Sequence, residues 1–204
     1  MFSAFEWSEP PVMDTLAPTF AAGLTFDQMV AAATTNVELF TVTRGRAVAP
    51  PEYAERIAAT GRRWHLLTIS EDWCGDGVNI LPWVDALAAS SPHLEHRIIR
   101  RDEHLELMDR HLTNGRSRSI PIVLLLDEDG VELDWWGPRP RELQAWFESA
   151  EAQAMPKDER YKVLRTRYAR DRGRAIMEEL TAMIERAAGQ PSATRATESA
   201  TVQA

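Results

Sequence analysis

Apolar residues first fall into a helical rhythm at Phe26, Val30, Ala33, Val37 and Phe40, introduced by Thr25 and Gln28 at capping-box spacing. This predicts a helix from residue 25 that fades near Gly45, preceded by an extended arm over residues 1–24. A short helix opens at Pro51 or Glu52 and stops at Gly61. Trp64 to Ser70 is a mostly apolar run of strand length, as in a strand buried on both faces. Val78, Ile80, Leu81, Val84, Leu87 and Ala88 restore a helical pattern that ends near Pro92, and Leu94 to Arg100 reads as a second strand. Asp102 is placed to cap a helix through Leu105, Met108 and Leu112, closed by Asn114-Gly115. Ile120 to Leu126 and Val131 to Trp136 form a hairpin about the Asp127–Gly130 turn.

A helix is then expected over residues 141–152, and a single long helix after Pro156 with Tyr161, Leu164, Tyr168, Ile176, Leu180 and Met183 along one stripe. From residue 51 the order is α-β-α-β-α-β-β-α. Strands joined through helices are expected to run parallel, and the closing hairpin antiparallel.

Composition narrows the partners rather than the fold. Hydrophobic residues make up 44% and charged residues 26% of the 204, which is ordinary for a globular domain. The formal charge of -8 argues against nucleic-acid and anionic-membrane binding. The first residues lack the pattern of a signal peptide, and no apolar run is long enough for a transmembrane helix; a cytoplasmic location is expected. The basic positions of the last helix are diluted by Asp158, Glu159 and Asp171, as on a solvated face. The histidines show no ligand spacing, so no metal is expected.

The chemistry concentrates in Glu71-Asp72-Trp73-Cys74-Gly75-Asp76-Gly77, where an apolar strand hands over to a helix. Cys74 is the only cysteine, so no internal disulfide can form. A thiol at a helix N-terminus lies near unpaired N–H groups that favour the thiolate, the reactive form. The neighbouring carboxylates work the other way. A lone cysteine can equally be buried and inert.

Trp73-Cys74-Gly75-Asp76 resembles the active-site turn of the thioredoxin superfamily. Pro82 matches the proline in that family's active-site helix, and Ile120-Pro121 is similar to its cis-proline segment. The resemblance covers about residues 51–150. Leu112-Thr113-Asn114-Gly115, Arg118-Ser119-Ile120-Pro121 and Trp136-Gly137-Pro138-Arg139-Pro140 further resemble a bacterial subgroup with helical extensions on both sides of the core. Two positions depart from the family: Gly77 stands where the second cysteine is expected, and Thr68 where thioredoxins carry a buried acid.

The expectation is an α/β, thioredoxin-like fold, a central mixed sheet flanked by helices, with N- and C-terminal helical extensions. Its parts are an arm and helix over 1–50, the thioredoxin-like domain over 51–152, an extension over 153–188 and a disordered tail over 189–204. The resemblance implies monothiol thiol–disulfide exchange with Cys74 as nucleophile. Trp73, Gly75, Asp76 and Gly77 would shape the substrate-binding turn, while Ile120 and Pro121 would position a substrate backbone. The substrate would be a protein or small-molecule disulfide. No cofactor is implied beyond a low-molecular-weight thiol as co-substrate and reductant, because without a resolving cysteine the mixed disulfide needs an external thiol. The competing reading is a redox-inactive module binding peptides or a protein in the same groove. Iron–sulfur binding through Cys74 and an added thiol is a distant third.

Overall fold

The computed structural model describes residues 15–189; the expectations for the first part of the arm and for nearly all of the tail lie outside the described residues. Four strands form one sheet in the order β2-β1-β3-β4: β1 (Trp64–Ser70), β2 (Leu94–Arg100), β3 (Ile122–Leu126) and β4 (Glu132–Trp136). β1 and β3 hold the centre, and every side chain of β3 is buried. Alternation divides them between two cores. Trp64, Leu66, Val123 and Leu125 face one; Leu67, Ile69, Leu124 and Leu126 face the other.

β1 pairs in parallel with β2, but β3 runs antiparallel to β1, against the expectation for helix-joined strands. The connecting helix is the reason. It spans only Leu105–Asp109, after a 3-10 turn at Arg101–Glu103, and Asp102 does not cap it. Five residues of helix rise about 7 Å, whereas a seven-residue strand runs about 23 Å. The chain therefore turns back at the end of the sheet where β1 and β2 finish, and Ile122 enters opposite Ile69. This places the residues just before β3 beside the turn that follows β1.

Ten α-helices are described, numbered along the chain: α1 (Ala17–Ala22), α2 (Phe26–Ala31), α3 (Val37–Arg44), α4 (Pro51–Ala59), α5 (Gly75–Ala89), α6 (Leu105–Asp109), α7 (Arg141–Glu148), α8 (Ala150–Ala154), α9 (Lys157–Asp171) and α10 (Arg174–Ala188). The arm is not wholly extended: α1 buries Phe20 under the sheet, its ring stacked on His65 at 4.3 Å. The helix expected over 141–152 breaks at Ser149, which caps α8. The long last helix also breaks, at Arg172 and Gly173, both with left-handed backbones. α10 then buries Ile176, Met177, Leu180, Met183, Ile184 and Ala187 in the same core as Phe26, Phe40 and α5. Arg165, Arg167 and Arg170 of α9 stay exposed.

The helix expected from residue 25 is two helices, with the capping box at Thr25 and Gln28 in place. Asp72 causes the interruption. Its Oδ2 accepts from Thr34 N at 2.6 Å, Thr34 Oγ1 at 3.1 Å and Thr35 N at 3.3 Å, while Asn36 Nδ2 donates to the Asp72 carbonyl at 2.8 Å. The Thr34 N–H holds the Asp72 carboxyl below its usual range. A depressed carboxyl stabilises the fold above its unfolded value and stops doing so as pH falls through the folded value. Asp72→Asn should cost about 2 kcal/mol at neutral pH, since bonds to a buried charge are lost. In urea titrations the gap from the native chain should close below about pH 4. An equal gap at pH 3 and pH 7 would contradict this account.

Candidate active site

Cys74 is the N-cap of α5, and its position follows from the fold. β1 ends at Ser70, Glu71 and Asp72 are tied down on either side, and the chain enters the helix at Gly75. Glu71 Oε1 accepts from Asp102 N at 3.0 Å, fixing the turn to the end of β2. Within the turn, Gly77 N donates to Cys74 Sγ at 3.3 Å, and Sγ donates to the Ile120 carbonyl at 3.3 Å. The Ile120–Pro121 bond is cis. Of the seven sequence-derived site residues, Gly77 and Ile120 touch the Cys74 sulfur; Trp73, Gly75 and Asp76 flank Cys74 along the chain and Pro121 follows Ile120.

Trp73 is 49% exposed, with the Arg101 guanidinium 4.8 Å from its ring centroid. Gly75 is exposed, and its carbonyl accepts from Asn79 Nδ2 at 2.8 Å. Asp76, Gly77, Ile120 and Pro121 are buried. Gly137 closes the far side of the proline, so near that an added Cβ would stand 2.5 Å from the Pro121 carbonyl oxygen. Thr68 Oγ1 and His96 Nε2 share a hydrogen bond at 2.9 Å, so the position where thioredoxins carry an acid holds an uncharged hydroxyl.

The thiol itself departs from the expectation of an activated nucleophile. Only 6% of Cys74 is exposed, and burial pushes the thiol up to about 11. The Gly77 N–H works against that rise and the Asp76 charge adds to it. Desolvation outweighs the helix terminus here. In this geometry Cys74 is protonated at neutral pH.

Two residues join the site that the sequence reading left in other roles. Arg139 pairs with Asp76 through Nη2–Oδ2 at 2.6 Å and Nε–Oδ1 at 3.0 Å, and Tyr168 donates its hydroxyl to Oδ1 at 2.8 Å. Arg139 was visible only as part of the Trp136–Pro140 motif, and Tyr168 only as one member of an apolar stripe. No spacing rule links residues 63 and 92 positions away from Asp76. Tyr168 also lines a cavity of about 510 Å³ with Thr43, Arg46, Asn79 and Trp83. Arg139 lines one of about 290 Å³ beside Ser117 and Ser119.

A family model described as Thioredoxin matches residues 23–155, which include the cysteine turn, the cis-proline and Arg139. The chain belongs to the thioredoxin family. Its four-stranded mixed sheet with flanking helices is a thioredoxin-like fold carrying helical extensions. Among solved structures, a protein of unknown function from Pseudomonas aeruginosa is similar at 25% identity with a TM-score of 0.67, over 86% of this chain and 99% of that one. An HIV epitope-scaffold is similar at 24% identity and a TM-score of 0.62, over 84% and 98%. Fasciola hepatica thioredoxin aligns over 45% of this chain and 85% of that one, at 25% identity and a TM-score of 0.32. No curated protein matches the chain. Among the described residues, no group of three or more His, Cys, Asp or Glu could hold a metal ion, and no helix is long and apolar enough to cross a membrane.

Proposed function

We propose that this thioredoxin-family chain carries out thiol–disulfide exchange of monothiol type through Cys74, as one of a bacterial subgroup marked by the Trp73–Asp76 turn and the Trp136–Pro140 motif. The observation that carries the reading is the setting of the sulfur. The chain's one thiol caps α5, takes the Gly77 N–H, and touches the carbonyl of the residue before a cis-proline. Ionised, Cys74 would attack one sulfur of a disulfide, forming a mixed disulfide and releasing the other half as a thiolate. Gly77 offers no second thiol, so an external low-molecular-weight thiol must attack the mixed disulfide and return Cys74 to its reduced form. A protein or small-molecule disulfide in the cytoplasm is the substrate class that fits. Ile120 would meet its backbone and exposed Trp73 its apolar surface.

A second reading has its own observation. A thiol 94% shielded and pushed up to about 11 suits a redox-inactive member of the family that binds peptides or a partner protein in the same groove. Alkylation checks the state of the thiol, and turnover separates the readings. Iodoacetamide alkylation of Cys74 should be slow at pH 7 and climb about tenfold per pH unit towards pH 11, the behaviour of one buried thiol. Turnover of a mixed-disulfide substrate with excess external thiol should nevertheless be seen, and should vanish in Cys74→Ser. No turnover in the native chain, with partner binding intact in Cys74→Ser, would leave only the binding module.

A further inference from the structure

Asp76 stands two residues after Cys74, on the first turn of α5, and its partners come from distant parts of the chain. Arg139, in the segment between β4 and α7, takes both carboxylate oxygens. Its third nitrogen, Nη1, donates to Gln144 Oε1 at 2.8 Å, and the guanidinium lies 4.0 Å from the Phe147 ring centroid. Tyr168, from α9, supplies the remaining donor. Side-chain exposures of 9% for Arg139 and 8% for Asp76 make this a buried ion pair. Burying a pair costs solvation that its attraction barely offsets, so stability alone gives little reason for it.

We propose that Arg139 and Tyr168 are positioning residues of the Cys74 site: by holding and neutralising Asp76 they set how readily Cys74 releases its proton, and through Tyr168 the C-terminal helices become part of that site. The inference rests on Cys74 being the reacting group. It is measured by proton affinity rather than turnover, so the two can fail separately.

The electrostatic logic fixes signs. A bare carboxylate this close to a thiol opposes the thiolate, and a cation beside it supports the thiolate. The other charged groups around the turn are directed elsewhere. Glu71 faces the Asp102 N–H and Arg100, Asp72 faces Thr34 and Thr35, and Arg101 lies over Trp73. Asp76 and Arg139 are therefore the pair through which the thiol is tuned. Tyr168 lies beyond the residues matched by the family model, so this tuning reaches outside the family's common core.

The test is a cycle of Asp76→Asn, Arg139→Gln and the double variant in the full chain, read as the Cys74 alkylation rate at pH 8. Arg139→Gln should slow alkylation several-fold and Asp76→Asn should speed it several-fold, on a scale of about tenfold per pKa unit. The double variant should return near the native rate, and Arg139→Lys should recover most of what Arg139→Gln loses. A clamp with only a structural role would loosen the turn in both single variants and move both rates the same way, which would overturn the proposal. Should the ion-pair variants not fold, Tyr168→Phe remains informative, because it removes one hydrogen bond and leaves the ion pair. A rate about twofold below native with an unchanged circular dichroism spectrum is expected. A native rate there would exclude the C-terminal helices from the site.

Discussion

Gly173→Ala is expected to lower the melting temperature by about 10 °C. Gly173 separates α9 from α10 and lies flat against Trp83 of α5. A Cβ built there would stand 2.2 Å from Trp83 Cδ2 and 2.4 Å from Cγ, inside the ring's own volume. Cγ and Cδ2 lie at the root of the side chain, so relief requires the whole ring, packed in the core that α5 shares with α10, to move. Forcing added bulk into such a site costs about 1–3 kcal/mol. The residue also sits at φ +72°, which adds about 1–2 kcal/mol for an L side chain. A total near 3–4 kcal/mol translates to roughly 10 °C for a chain of this size. Gly61→Ala is the matched control. Its φ is +66°, but nothing lies within 4 Å of the new Cβ, so only the backbone cost of about 1 kcal/mol should appear. Equal melting temperatures for the two variants would mean that Trp83 moves freely and that the helix break is not set by this contact.

Local pattern alone predicts a continuous last helix. The stripe from Tyr161 to Met183 keeps a helical period across Gly173, and an isolated glycine within such a pattern is commonly tolerated. The helix stops at left-handed Arg172 and Gly173, where Trp83, some ninety positions earlier, packs against the glycine, and no local window contains that contact. The interruption between α2 and α3 has the same character. Val30 to Phe40 keeps period, but Asp72 captures the N–H groups of Thr34 and Thr35. Where local pattern and nearby chemistry agree, pattern and structure coincide. The capping box at Thr25, the buried β1, the hairpin of β3 and β4 and the cysteine at a helix start are all placed as the pattern indicated. Cys74 shows the limit most clearly. Its place at the helix start is local information, whereas its proton affinity depends on Ile120 and on Leu67, Ile69 and Met108 in the same core, which sequence proximity cannot supply.

Gly77→Cys should turn the monothiol site into one that closes its own disulfide. An added Cβ at position 77 would lie 3.3 Å from Cys74 Cβ and 3.7 Å from its Sγ. Disulfides usually hold their Cβ atoms about 3.5–4.5 Å apart, so a small outward shift brings the pair into range. One obstacle is visible: Ser70 Oγ stands 3.0 Å from the new Cβ, and it has no hydrogen-bond partner among the described residues to hold it there. In the native chain, the proposed reaction of Cys74 with a small disulfide would end at a mixed disulfide plus one released thiolate. In Gly77→Cys the introduced thiolate then attacks the Cys74 sulfur and expels the second half, so the small disulfide is reduced to two thiols while the protein pair is oxidised. Intramolecular attack at this range should shorten the life of the adduct by at least about a hundredfold. Intact-mass measurement after brief oxidation should find the native chain carrying the adduct, and the variant without adduct and lighter by two hydrogens. Persistence of the adduct on Gly77→Cys and also on Gly77→Cys with Ser70→Ala would mean that the turn cannot bring the two sulfurs together. Its likeness to the family's dithiol turn would then stop at the backbone. Closure only in the double variant would identify Ser70 as the group that keeps a thiol at position 77 from reaching Cys74.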